Sequence, residues 1–225
     1  MPLITPLRQD IENPVLVKKY SASLRMWHWA NSLVICGSLL TVLLNSTLLD
    51  VPANTAYIKS QLEESGTVVT EKQAFSAAHG LEDRVWDIHI YFGYALAALL
   101  LFRLVTELYT RKDQKFLKKL KAAYQDYFVF KKNRYLARHE LFVKVLYALF
   151  YGLLSIMAVT GLAMAFKQEL GIGKEFNHSI KEFHGFCMYL ILAFIVLHVA
   201  GVFLAERKDS RGIVSDMING GRQTE

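Results

Sequence analysis

The chain has 225 residues, 53% of them hydrophobic and 12% aromatic, and its mean hydropathy is positive. That is too apolar for a solvated surface and excludes soluble, disordered and collagen-like classes. The charged 20% falls in blocks between long apolar runs, so the net charge of +6 belongs to the flanks of membrane spans and calls for no nucleic-acid partner.

The first twenty residues hold Pro2, Arg8, Asp10, Glu12, Pro14, Lys18 and Lys19 and no short apolar core. No cleavable signal is expected, and the first span doubles as the targeting signal. Four stretches, approximately 24–44, 88–108, 141–166 and 183–204, reach the roughly 20 helical residues that cross about 30 Å of hydrocarbon. Strands with open edges would leave backbone groups unsatisfied in lipid. The predicted fold is therefore all-α: an integral membrane four-helix bundle, one transmembrane domain over 1–225.

The outer loop, 45–87, is acidic, with Asp50, Glu63, Glu64, Glu71, Glu82, Asp83 and Asp87. Within it Thr70-Glu71-Lys72-Gln73 reads as a capping box that starts a helix running toward the second span. The cytoplasmic linker, 109–140, spaces Phe116, Leu117, Leu120, Ala123, Tyr124, Tyr127 and Phe128 at helical intervals among Lys115, Lys118, Lys119 and Lys121. It reads as an amphipathic helix lying on anionic lipid, with a partner-binding helix as the other reading. Outside the spans, the two termini and this linker carry eighteen Lys and Arg, against six in the other two connections. Both termini are accordingly placed in the cytoplasm.

Cys36 and Cys187 each lie inside an apolar run, which indicates neither a disulfide framework nor a zinc knuckle. With no Cys-x-x-Cys-His, any haem here is not covalently attached.

The seven histidines divide by depth. His79, His139 and His178 fall in linkers and default to surface residues. His28, His89, His184 and His198 lie in or at the edge of spans, where ionisable side chains are costly and usually functional. His184 and His198 are fourteen residues apart, about 21 Å along a helix and within about 40° of one face. Given alternating span directions, His28 matches His198 in depth near the inner side, and His89 matches His184 near the outer side. Two imidazoles at one depth suit a bis-histidine haem, whose filled axial positions imply electron transfer and not oxygen binding. The plainer reading is that each histidine bonds a neighbouring helix. Gly37, Gly93, Gly152, Gly161 and Gly185 stand where a porphyrin would press, or serve helix packing. Arg25 and Arg103 could meet inner propionates, and Arg84 and Lys181 outer ones; the alternative for all four is snorkelling to the interface.

The pattern resembles the b-type cytochrome subunit of membrane-bound nickel-iron hydrogenases, and more broadly the bacterial four-helix di-haem cytochromes b. The matching stretches are Arg25 to Asn31, Ile88 to Tyr94, Thr160 to Met164, His184-Gly185 through His198-Val199, and the tail from Glu206 to Gly221. The resemblance implies two non-covalent haems b ligated by His28, His89, His184 and His198 in a bacterial inner membrane. It further implies electron passage between an extracytoplasmic redox partner, such as hydrogenase subunits, and membrane quinone. The long acidic loop, and the lack of a doubled histidine at the fourth span, depart from the hydrogenase subunits. An alternative is a free-standing superoxide-to-quinone oxidoreductase of the same family, though its anionic substrate would want a basic outer face. Tyr20, Trp27, Arg25 and Asn31 are nearby polar or aromatic candidates at the inner side, where quinone would be reduced, and no quinone site can be named from them.

Overall fold

The computed structural model describes residues 20–109, 115–131, 134–207 and 212–221. The expectations for residues 1–19, and for those parts of the linker and tail at 110–114, 132–133, 208–211 and 222–225, lie outside these. Every regular element among the described residues is a helix: α1 (Ala22–Ser46), α2 (Val51–Glu64), α3 (Glu71–Tyr109), α4 (Phe116–Phe128), α5 (Arg134–Ala165), α6 (Lys174–Arg207) and α7 (Ile213–Asn219). Four of them, α1, α3, α5 and α6, are long and apolar enough to cross a membrane. Three contain one of the spans expected from the sequence whole, and α5 ends at Ala165, one residue short of the third span. Their leucines stand open to the surroundings, as at Leu33 (69% exposed), Leu101 (62%), Leu149 (59%) and Leu197 (62%). Such apolar exposure on every long helix fits lipid and not water.

Local chemistry explains where the helices start. Ser21 caps α1, its Oγ accepting the Leu24 N–H at 3.3 Å. Asp50 caps α2 by accepting the Ala53 N–H at 3.0 Å, with Pro52 in the first turn, where its missing N–H costs nothing. The capping box at Thr70 forms: Thr70 N–H donates to Gln73 Oε1 at 2.9 Å and Gln73 N–H to Thr70 Oγ1 at 3.3 Å. From there α3 runs 39 residues without a break, about 58 Å, nearly twice the hydrocarbon thickness. Most of the outer stretch expected as loop is therefore helix, α2 and the first turns of α3. α5 and α6 likewise begin before their apolar runs, at Arg134 and Lys174. Hydropathy marks where lipid begins; helical backbone hydrogen bonding continues past it.

The chain divides into two compact units. One comprises residues up to Trp29 together with Leu99 onward, and so holds the start of α1, the end of α3, and α4 to α7. In it α5 packs on α6 around Leu154, Cys187 and Ile191, all buried, while α4 lies on α5 and α7 on α6. Buried Trp27 donates its Nε1–H to Leu99 O at 2.9 Å and stacks on Tyr151 with ring centroids 5.7 Å apart. Arg103 lies about these two rings, 6.0 Å and 5.9 Å from their centroids. Its Nε donates to Tyr151 Oη at 3.0 Å and its Nη2 lies 3.4 Å from Glu107. Glu107 also accepts the Phe116 N–H that opens α4. Stacked aromatics and a cation over their faces contribute about 0.5–1.5 kcal/mol per contact beyond area burial.

The same unit ties the entry of α1 to α7. Tyr20 N–H donates to Gly220 O at 3.2 Å, Trp29 Nε1–H to Met217 O at 3.1 Å, and Arg25 Nη1 to Ile218 O. Those are carbonyls at the C-terminal end of α7, which carry the negative end of the helix dipole. Gly220 ends that helix at φ +99°, a left-handed conformation that a β-carbon would strain.

The other unit, Ala30–Ala98, contains the rest of α1, α2 and the first part of α3. Its core includes Val34, Ile35, Ala74 and Ala78. Gly37 admits the Phe92 ring so closely that a β-carbon there would stand 2.4 Å from Cζ. The space opened at Gly37 is thus taken by protein. Asn45 Nδ2 donates to Glu82 O at 3.3 Å, and Trp86 Nε1–H donates to Glu82 Oε1 at 3.0 Å.

Candidate functional site

His28 lies in the second turn of α1 and His198 in α6, two to three turns before its end. Within the first unit their rings lie with centroids 6.3 Å apart and planes inclined by 54°. A metal–imidazole nitrogen bond of about 2 Å on either side of one ion, plus the ring radius twice, separates centroids by about 6 Å. The spacing therefore fits one metal ion clamped between the two rings. Among the described residues no three His, Cys, Asp or Glu side chains converge on a point. Two ligands are what a porphyrin's four nitrogens complete to six, whereas zinc would be left two short.

Aromatic packing sets these rings. Phe194, one turn before His198, lies parallel to it with centroids 5.8 Å apart and an 8° tilt, and Phe150 stacks on Phe194 at 4.3 Å. Trp29 meets His28 edge-on at 5.2 Å. Arg25, nearly one turn before His28, has a buried Nε with no hydrogen-bond partner among the described residues. An orphaned guanidinium N–H beside the histidine pair is what an anionic haem substituent would satisfy. Arg103, by contrast, already meets Glu107 and Tyr151.

In the second unit, His89 Nδ1 lies 2.8 Å from Thr41 Oγ1, 3.3 Å from Ser38 O and 3.4 Å from Ser38 Oγ. Trp86, nearly one turn earlier, contacts the ring edge-on at 5.4 Å. In the first unit, His184 Nδ1 lies 2.7 Å from Thr160 Oγ1, and a β-carbon added at Gly161 would be 3.5 Å from His184 Cε1. The linker histidines differ. His79 lies 3.2 Å from Asp83 and His178 3.2 Å from Glu182, in pairs along exposed helix surfaces. Ser38, Thr41, Phe150 and Tyr151 carried no signal in the sequence, because each meets its partner across helices; Phe194, four residues before His198 on α6, was within reach of helical spacing and was missed. Thr160 stood out only as part of a matching stretch.

The profile of the family described as prokaryotic cytochrome b561 matches residues 19–220, nearly the whole chain. The chain belongs to the prokaryotic cytochrome b561 family. No curated protein and no solved structure matches it. As a member, this cytochrome is a haem b-binding, multi-pass membrane protein of electron transfer.

Proposed function

We propose that this cytochrome holds two non-covalent haems b in a bacterial inner membrane and transfers electrons between an extracytoplasmic oxidoreductase, of the nickel-iron hydrogenase kind, and membrane quinone. The observation that carries the reading is the 6.3 Å separation of the His28 and His198 rings. The second pair of ligands, His89 and His184, rests on their matched depth in the sequence. Held by two histidines, the haem would supply one-electron transfer and leave no position for oxygen.

The chain's own groups supply position and charge. Phe150 and Phe194 keep the His198 ring from rotating, and Trp29 does so for His28. Arg25 supplies the cation for an inner propionate, with Arg103 as the second candidate. The excess of Lys and Arg on the linker and both termini sets these in the cytoplasm, which leaves the acidic segment of α2 and early α3 on the outer face for a redox partner. Quinone reaches such a protein through the lipid against which α1, α3, α5 and α6 are exposed.

The test is a redox titration of the purified full chain followed by addition of a soluble quinone. Reduced b-type absorption that bleaches on addition of quinone supports the proposal. Absorption unmoved by either ubiquinone or menaquinone analogues contradicts the quinone assignment.

A further inference from the structure

In two separate places a threonine on one helix meets the Nδ1 of a membrane histidine on another, and both make the same use of a single hydroxyl proton. Thr160 Oγ1 lies 2.7 Å from Ile156 O, the carbonyl one turn back on α5, and 2.7 Å from His184 Nδ1. Thr41 Oγ1 lies 2.6 Å from Ser38 O on α1 and 2.8 Å from His89 Nδ1. A carbonyl accepts only, so the short contact to it takes the hydroxyl hydrogen. The second contact then needs a hydrogen from the ring. Were the hydroxyl to donate to Nδ1 instead, two lone-pair oxygens would stand within 2.7 Å of each other with no proton between them. At His89 that arrangement fails twice, since Nδ1 also lies 3.3 Å from Ser38 O. Both imidazoles are therefore Nδ1–H tautomers, with the lone pair on Nε2.

We infer that Thr41 and Thr160 are positioning residues, each for the histidine of its own unit: each fixes that histidine as the tautomer whose Nε2 can bind iron, and holds the ring in that orientation. The inference rests on the proposed ligation by His89 and His184. It assigns to two hydroxyls the part that outer-shell acceptors play for metal-bound histidines, orienting the ring and raising its donor strength. Thr41 is buried, at 5% exposure, and so is shielded from competing water.

The test compares Thr41→Val and Thr160→Val with Thr41→Ser and Thr160→Ser in the full chain, purified from membranes. Haem per chain, the two midpoint potentials and the low-temperature electron paramagnetic resonance of the oxidised haems are measured. Each valine variant should weaken retention of one haem about 10–100-fold. It should also raise that haem's potential, because an imidazole that loses its short acceptor is the poorer donor, less so at His89, which keeps the 3.3 Å contact to Ser38 O, and leave the other haem's potential and resonance at wild-type values. The serine variants, which keep the hydroxyl, should match wild type. Should a valine variant fail to reach the membrane, alanine replaces it with the same expectation. Valine or alanine variants with both haems and both potentials unchanged overturn the inference, as does equal loss of both haems or serine behaving as valine. A wild-type chain without haem overturns the functional proposal instead.

Discussion

Replacing His198 by alanine removes one of the two rings that stand 6.3 Å apart and leaves His28 facing a gap. The expected result is a chain with one haem fewer, the remaining haem keeping its spectrum, because His89 and His184 are untouched. Pyridine haemochrome assay of the variant checks it, and a variant retaining both haems would refute the pairing. A second residue with a measurable signature is Tyr20. Burial pushes its phenol up to about 12, and Tyr147 and Asp216 add to the shift. The neutral phenol is the form the fold favours, so its contribution is complete below the unfolded value of about 10 and is lost as pH rises through 12. Ultraviolet titration of wild type against Tyr20→Phe should show the missing tyrosine ionising last. A difference centred near 10 would show that the burial has no such effect. Depth alone made His28 and His198 legible as a pair, since position along a span follows from residue count. Thr41 and Phe150 were not legible, because contacts across helices depend on rotation about each axis.

Among the elements, the Phe92 ring of α3 fills the space at Gly37 of α1 within the second unit. Gly37→Ala forces that ring to move and should destabilise by about 1–3 kcal/mol, the range for overpacking. Gly93→Ala, with no atom within 4 Å of the added carbon, should cost little by comparison. Thermal unfolding in detergent, repeated in a Phe92→Ala background, measures the effect. An equal cost in both backgrounds would show that Phe92 is not its cause. From sequence, Gly37 read equally as porphyrin clearance or helix packing; its location could not tell which neighbour arrives there. The spans were legible because lipid demands long apolar runs, and the start of α3 because Thr70 and Gln73 satisfy each other's N–H groups locally. The true helix lengths were not. The acidic first half of α3 and the basic start of α5 are helical on backbone bonding that hydropathy does not report. α4 was readable as amphipathic, and the structure divides its apolar residues: Ala123 is buried while Leu117, Tyr124 and Phe128 are exposed beside Lys118 and Lys121.

For the molecule as a whole, the asymmetry of eighteen basic residues against six leads us to propose that the C-terminus lies in the cytoplasm. A green fluorescent protein fused after Glu225 should fluoresce, as it does only when folded on that side, and an alkaline phosphatase fusion at the same point should be inactive. The reverse result would invert the topology and move His28 and His198 to the outer face. The family assignment supplies haem b chemistry and a membrane setting, and the paired His28 and His198 rings are the place we propose for it. The most direct measurement of that claim is the haem content and low-temperature electron paramagnetic resonance of the purified wild-type chain. The account predicts two haems b per chain, both low-spin with imidazole on each face. A chain that binds no haem, or one whose iron is high-spin with an open axial position, would contradict it.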